Sequence, residues 1–484
     1  MKTTNLFIAI LMVSISSFGQ KAPKKADQSA SKAVIAASLD AKYEEYKTKA
    51  LAIWEYAEVG YKETKSSALL QETLKENGFT VTAGIAGIPT AFEATYGSGS
   101  PVIAILAEYD ALPGMSQNAV PEKSPIEGKI AGHACGHHVF GVASVAAAIE
   151  IKNLIAQNKL KGTVKLLGCP AEEGGSGKVF IVREGFLDNV DAAIHWHAGD
   201  ANSVTTMSAL ANKSAKFRFN GFSAHAAAAP EKGRSALDAV EAMTHMVNMM
   251  REHVPQETRI HYVITSGGKA PNIVPDFAEV YFYVRNPKKD IVVEVFDRVV
   301  KAAEGAALGT GTTMDYEIIG GTHDLLINNT LATAMQANLE KVGGVKYSAD
   351  EIEFGKKIQS TFNFTYPDIA TAGQVKPLDR REYSGGGSTD VGDVSYAVPT
   401  VGMRAASWVP GVPAHSWQAV ACGGTEIATK GMLVAAKAMA QTAVDLYTNP
   451  ELIEKAKAEF KSKLGDYQYK ALLGDIKPAL NYRD

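Results

Sequence analysis

The chain has 484 residues, enough for two or three ordinary domains. Its apolar fraction of 46% and charged fraction of 21% are those of a soluble globular protein. A formal net charge of −3 and the lack of any long basic run exclude phosphate-tracking surfaces, so nucleic acid and anionic membranes are not expected partners.

In chain order, Lys2 and the apolar stretch Leu6 to Phe18 read as a secretory signal peptide. The stretch is too short for an ordinary membrane span, and Ser17-Phe18-Gly19 resembles a cleavage site. The expectation is cleavage near Gly19 and an exported bacterial protein, periplasmic or extracellular, without a stable membrane anchor. Gln20 to about Ser38 reads as a mobile lead-in. Nothing later reads as long and apolar enough to cross a membrane. Only Cys135, Cys169 and Cys422 are present, too few for a disulfide framework.

Helical spacing follows over Asp40 to Glu58 and Glu63 to Asn77, with Gly78 placed to end the second helix. Pro101 to Ala107, Thr163 to Gly168 and Ala192 to Trp196 read as short buried strands. They alternate with helices over Val139 to Ile155 and Lys178 to Glu184. The fold class this implies is α/β, a parallel or mixed sheet with helices on both faces and sites beyond the carboxyl ends of its strands.

The rhythm changes from Ser208 to Thr322. Strands at Ser214 to Asn220, Arg259 to Thr265, Phe277 to Arg285 and Thr313 to Ile318 enclose helices at Ser235 to His253 and Lys289 to Ala306. This is the order of a ferredoxin-like split unit, read as an inserted domain. The expected division is signal peptide 1–19, lead-in 20–38, a first catalytic segment 39–207, inserted domain 208–322 and a second catalytic segment 323–484. The second catalytic segment has a helix at Leu331 to Val342, a loop region from Lys356 to Gly392, a strand at Thr400 to Met403 and a closing helix from Thr425 to Tyr447.

The chemistry-bearing residues cluster in the loops. Glu172 and Glu173 follow Cys169-Pro170-Ala171 on a glycine-rich turn. Outside a helix, neighbouring side chains diverge, so one carboxylate can hold a metal while the other faces the water that metal activates. Gly132-His133-Ala134-Cys135-Gly136-His137-His138 is the densest cluster, and thiolate with imidazole suits zinc-like ions. Cys-x-His spacing cannot share a helix face but works on a turn at a helix start, where Gly136 stands. His195 and His197 share a strand face, and either is a possible ligand. His415 sits on a loop bounded by Pro410 and Pro413.

These motifs resemble the family of dinuclear metallopeptidases and amidohydrolases that includes aminoacylases, hippurate hydrolases, auxin-conjugate hydrolases and p-aminobenzoyl-glutamate hydrolase. The likeness is carried by Ala107-Glu108-Tyr109-Asp110-Ala111-Leu112-Pro113, Gly132 to His137, Cys169 to Lys178 and Gly233-Arg234-Ser235-Ala236-Leu237-Asp238-Ala239. Ser388-Thr389-Asp390-Val391-Gly392-Asp393-Val394-Ser395 and His415-Ser416-Trp417-Gln418 complete it. It spans nearly everything after the signal peptide.

The resemblance implies two divalent metal ions, zinc or manganese, bridged by Cys135 and completed by His137, Glu173, His197 and His415. It implies Glu172 as general base and Asp110 as the carboxylate that orients the site. His225 would be lent across a homodimer to the partner's site, and Asn272 would contact substrate. The implied substrate is a small amide with a free carboxylate, such as an N-acyl amino acid or p-aminobenzoyl-glutamate. Arg218, Arg234 and Arg404 are possible carboxylate partners. His138 departs from the family's usual Asp or Asn, leaving open whether it adds a ligand. Alternatives are a dipeptidase of the same family, a subunit of a hetero-oligomer with little activity alone, and a non-catalytic protein that kept the fold.

Overall fold

The computed structural model describes residues 25–380 and 386–483. The signal-peptide reading and residues 381–385 of the expected loop region lie outside them. Among the described residues the strands are β1 (Thr80–Ala83), β2 (Phe92–Ser98), β3 (Val102–Ala107), β4 (Leu112–Pro113), β5 (Ala131–Gly132), β6 (Gly162–Gly168) and β7 (Ala192–Gly199). β8 (Ser203–Val204), β9 (Ala211–Asn220), β10 (Arg259–Ser266), β11 (Phe277–Asn286), β12 (Thr313–Thr322) and β13 (Thr400–Ala406) follow.

Seven strands form one mixed sheet in the order β1-β2-β6-β3-β7-β13-β8. β6, β3, β7 and β13 run parallel at its centre, and antiparallel strands close both edges. The central strands read as continuous apolar runs because both faces are covered. On one face the helices His137–Ala156 and Glu426–Thr448 pack into the main core. On the other, Gly177–Arg183 and Val391–Ala397 contribute Val179, Phe180, Val391 and Val394 to a second core. The mixed α/β sheet with helices on both faces is therefore borne out.

The second sheet, β10-β11-β9-β12, is antiparallel throughout. Helices Ala236–Met250 and Lys289–Thr310 cover one face and share a separate core with Ala278, Val280, Phe282 and Val284. Alternation turns Glu279, Tyr281, Tyr283 and Arg285 to the opposite face. The strand–helix–strand–strand–helix–strand order is ferredoxin-like and interrupts the first sheet between β8 and β13.

Three expectations need correction. The lead-in is not a mobile segment over its described residues: Lys25–Ala41 is a helix, with Ile35 and Leu39 fully buried. Lys32 pairs with Asp445, and the Ser38 hydroxyl donates to Glu150 at 2.8 Å. Its Lys, Ala and Ser content hid an i,i+4 apolar pair that docks on the core. The region Lys356 to Gly392 is not all loop, since Ala349–Gln359 and Val391–Ala397 are helices and Ile369–Gly373 a 3₁₀ turn. Finally, His137–Ala156 is long and apolar enough to cross a membrane, but it is buried in the core. A helix apolar all round is what a central core position demands.

Candidate metal centre

The carboxyl ends of four adjacent parallel strands build the site. β3 leads into Glu108 and Asp110, β6 into the Glu172–Glu173 turn, β7 carries His197 near its end, and β13 feeds the loop to His415. Cys135 and His137 arrive at the start of the His137–Ala156 helix. Gly136, at φ 77°, precedes that helix, and a Cβ there would overlap Ala198. Only glycine satisfies both the left-handed turn and the close approach. The glutamate turn is similarly constrained, with Ala171 at φ 57°, Gly174 at φ 90° and Ser176 at φ 58°. Such conformations persist when the surroundings enforce them, and they gather at functional sites.

The sequence-expected ligands converge. Ligand atoms of Cys135, His137 and His197 lie within 4.8 Å of one another, as do those of Cys135, Glu173 and His415, and those of His137, Glu172 and Glu173. Cys135 belongs to both of the first two groups, which gives two half-sites sharing a thiol. Cys135 Sγ is 3.4 Å from His197 Nε2, and His415 Nε2 is 3.0 Å from Glu173 Oε1.

Second contacts set the imidazole tautomers. His137 Nδ1 donates to Asp110 Oδ1 at 2.9 Å, and His197 Nδ1 donates to the Ala198 carbonyl at 2.7 Å. Both rings therefore present a bare Nε2 to the cluster. Asp110 also accepts the Glu173 amide through Oδ2 at 2.9 Å, so one carboxylate orients a histidine and a glutamate together.

The donor set fits divalent cations. His137 Nε2 lies 3.1 Å from Glu108 Oε2 and Glu173 Oε1 3.0 Å from His415 Nε2, but neither buried atom makes a hydrogen bond, an arrangement that a cation among them would satisfy. Burial also pushes the Cys135 thiol well up, and in such a place only an adjacent cation favours thiolate. Glu172 is raised too, by burial first and then by Glu108, Glu173 and Asp390.

Other expected residues lie elsewhere. His138 turns away: its Nε2 meets the Gly423 carbonyl at 2.9 Å, its ring packs tilted against His133, and burial lowers it to about 3. It is no member of the ligand groups. His195 stands over Gly402, where a Cβ would overlap its ring. His225 and Asn272 are exposed on adjoining loops of the inserted domain, and neither joins the cluster within this chain. Arg218 is committed to Glu279 and Glu317, and Arg234 to the Glu231 and Gly233 carbonyls. Arg404 is exposed beside His197 on the neighbouring strand.

Several supporting residues escaped the sequence reading. Glu63, fully buried and raised to about 8 by burial and by Asp110, accepts the Ala171 amide at 2.8 Å. Lys178 bridges Glu108 and Asp390 at 2.6 Å each, all three buried. A lone lysine opening the apolar helix run Lys178-Val179-Phe180-Ile181-Val182 was the available signal. Tyr482 and Arg483 reach the Glu173 carbonyl from the far end of the chain, and nothing local marks them.

Residues 211–310 match the M20 peptidase dimerisation domain. The chain is 40% identical to a subunit of p-aminobenzoyl-glutamate hydrolase from Escherichia coli, over 87% of this chain and 93% of that protein. It is 29% identical to mouse Xaa-Arg dipeptidase, over 86% and 89%. A crystal structure of a dinuclear metal-binding M20 peptidase from Bacillus subtilis superposes with a TM-score of 0.57 at 18% identity, covering 84% of this chain and 99% of its own. Relationship over nearly the full length, with a cluster of ligand-type side chains sharing a thiol, makes the chain a member of the M20 peptidase family and a metal-dependent hydrolase of amide bonds.

Proposed function

We propose that the chain hydrolyses the amide of N-acyl or N-aroyl amino acids with a free carboxylate, of the p-aminobenzoyl-glutamate kind, with Glu172 as general base. The observation that carries this reading is the place of Glu172, half-buried within ligand distance of His137 and Glu173 yet outside the two groups that share Cys135. When bound, two divalent ions, zinc or manganese, would polarise the amide carbonyl and acidify the attacking water. Cys135, His137 and His197 would hold one, and Cys135, Glu173 and His415 the other.

Glu172 takes the proton of the attacking water and returns it to the leaving nitrogen, a role its raised proton affinity suits. Asp110 keeps His137 and Glu173 in register. His225 Nδ1 accepts the Ala227 and Ala228 amides at 3.2 Å, which leaves Nε2–H as an outward donor. In a homodimer that donor would serve the partner's oxyanion, with Asn272 on the adjoining loop touching substrate. Support for the dimer comes from the dimerisation-domain match and from β10, an edge strand exposing Tyr262, Val263 and Ile264. Arg404, beside His197, is the favoured partner for the substrate carboxylate. The apolar stretch Leu6 to Phe18 supports export to the periplasm or beyond.

The test is metal analysis of the mature protein with a panel of aminobenzoyl-glutamate, hippurate and dipeptides, beside Glu172→Gln. The variant should keep its metal and lose at least about 100-fold in turnover. Full turnover by the variant would refute the assignment, and activity on dipeptides alone would move the substrate class.

A further inference from the structure

We propose that Tyr482 and Arg483 are positioning residues for the hydrolytic turn, holding Glu172 and Glu173 in place through the Glu173 carbonyl. This rests on the reading of the two glutamates given above. The Glu173 carbonyl accepts the Tyr482 hydroxyl at 3.0 Å and Arg483 Nη2 at 2.6 Å. Its amide is already bound to Asp110. Both ends of the residue that would bind metal are thus fixed, one from β3 and one from the chain's closing segment. Tyr482 also packs edge-on against Tyr61 at 5.5 Å, and Tyr61 donates to the Gly175 carbonyl at 2.6 Å. A Cβ on Gly60 would overlap the Tyr482 hydroxyl, so the chain leaves room for it.

The segment that delivers these two side chains is itself anchored along its length. Tyr467 and Tyr469 bond His323 and Asp393 at 2.7 and 2.8 Å, where β12 returns to the main sheet. Ala471 and Leu473 are buried in the second core. Arg183 donates to the Gly474 and Ile476 carbonyls at 3.1 and 2.7 Å. Arg483 therefore arrives at the turn on a fixed strap. A turn with three left-handed residues needs outside restraint to keep two carboxylates aimed, and an aimed carboxylate binds without an ordering cost.

The test uses the full chain carrying Tyr482→Phe with Arg483→Ala, set against Ile35→Ala, which destabilises the main core away from the strap and touches neither donor. Zinc is titrated into chelator-stripped protein, and melting temperature, kcat and KM are read beside it. In the double variant one of the two zinc steps should weaken by about 10–100-fold, with kcat falling in proportion and KM little changed. Arg483→Lys, which keeps a cationic donor, should recover most of the loss. Ile35→Ala should lower the melting temperature and leave both zinc steps intact. Parental zinc affinity and kcat in the double variant would overturn the proposal, as would the same zinc loss in Ile35→Ala. If the double variant does not fold, Tyr482→Phe alone decides, and unchanged zinc binding there overturns it. A parent chain that binds no zinc at all would instead overturn the metal-centre reading, and this proposal with it.

Discussion

Lys178→Met should cost more stability than most single substitutions in this chain. The ammonium lies 2.6 Å from Glu108 Oε1 and 2.6 Å from Asp390 Oδ1, and all three side chains are at most 1% exposed. At an effective dielectric of ~20, each contact is worth about 6 kcal/mol before the cost of removing the charges from water. That cost absorbs most of the gain, which is why replacing a whole buried cluster is often neutral. Removing the cation alone is different, because it leaves two carboxyls buried together and costs about 3–5 kcal/mol. With an unfolding entropy of about 2.1 cal/mol/K per residue over the ~350 residues outside the inserted domain, the melting temperature should fall by about 4–7 °C. Burial already raises both carboxyls, and without Lys178 they hold protons still more tightly. Stability then falls as pH rises above the unfolded carboxyl values, so the deficit should be wider at pH 8 than at pH 5. Differential scanning calorimetry on Lys178→Met and on the triple variant with Glu108→Gln and Asp390→Asn checks this. A triple variant no more stable than the single one would show that shape, not charge, sets the cost.

Two further outcomes follow from the periphery. Ile35→Ala should destabilise by about 2–5 kcal/mol in thermal melts, because Ile35 is fully buried in the main core; a neutral result would restore a loose lead-in. Glu459 is lowered to about 2: partial burial opposes ionisation, but Lys463, Thr330 and the Asn329 amide outweigh it. A depressed carboxyl stabilises above its unfolded value and loses that contribution as pH falls through the folded one. Glu459→Gln should therefore cost about 1 kcal/mol at pH 7, after discounting for solvent, and nothing near pH 2. A penalty independent of pH in denaturation curves would refute the charge argument.

The candidate cluster was legible because each of its residues sits in a local pattern with its own physical reason. Cys135 and His137 needed a turn at a helix start, and Gly136 announced it. Glu172 and Glu173 needed a glycine-rich turn after a strand, and the sequence supplies one. The choice between His195 and His197 was not legible. Alternation puts both on one strand face, and His197 joins the cluster because it lies about 7 Å nearer the carboxyl end where the candidate site opens. His195, deeper in β7, is covered by Gly402 of β13, a strand more than two hundred residues later.

What the sequence could not show is the restraint on the site, and the reason is topological. Parallel strands bring loops together from every region of the chain, so the groups that hold a loop are as distant in sequence as the strands themselves. Glu63 supports Ala171 across 108 residues, Asp390 holds the Lys178 amide across 212, and Arg483 reaches Glu173 across 310. Ligands are confined to turns that carry the right residues close together, and so they leave a motif. Their supports need only one donor or acceptor at the right point in space, and any strand, helix or closing segment can supply it. A glutamate at a helix start, a lysine in an apolar run and an arginine near the end of the chain have no spacing in common. They become one functional group only when the four central strands are laid side by side.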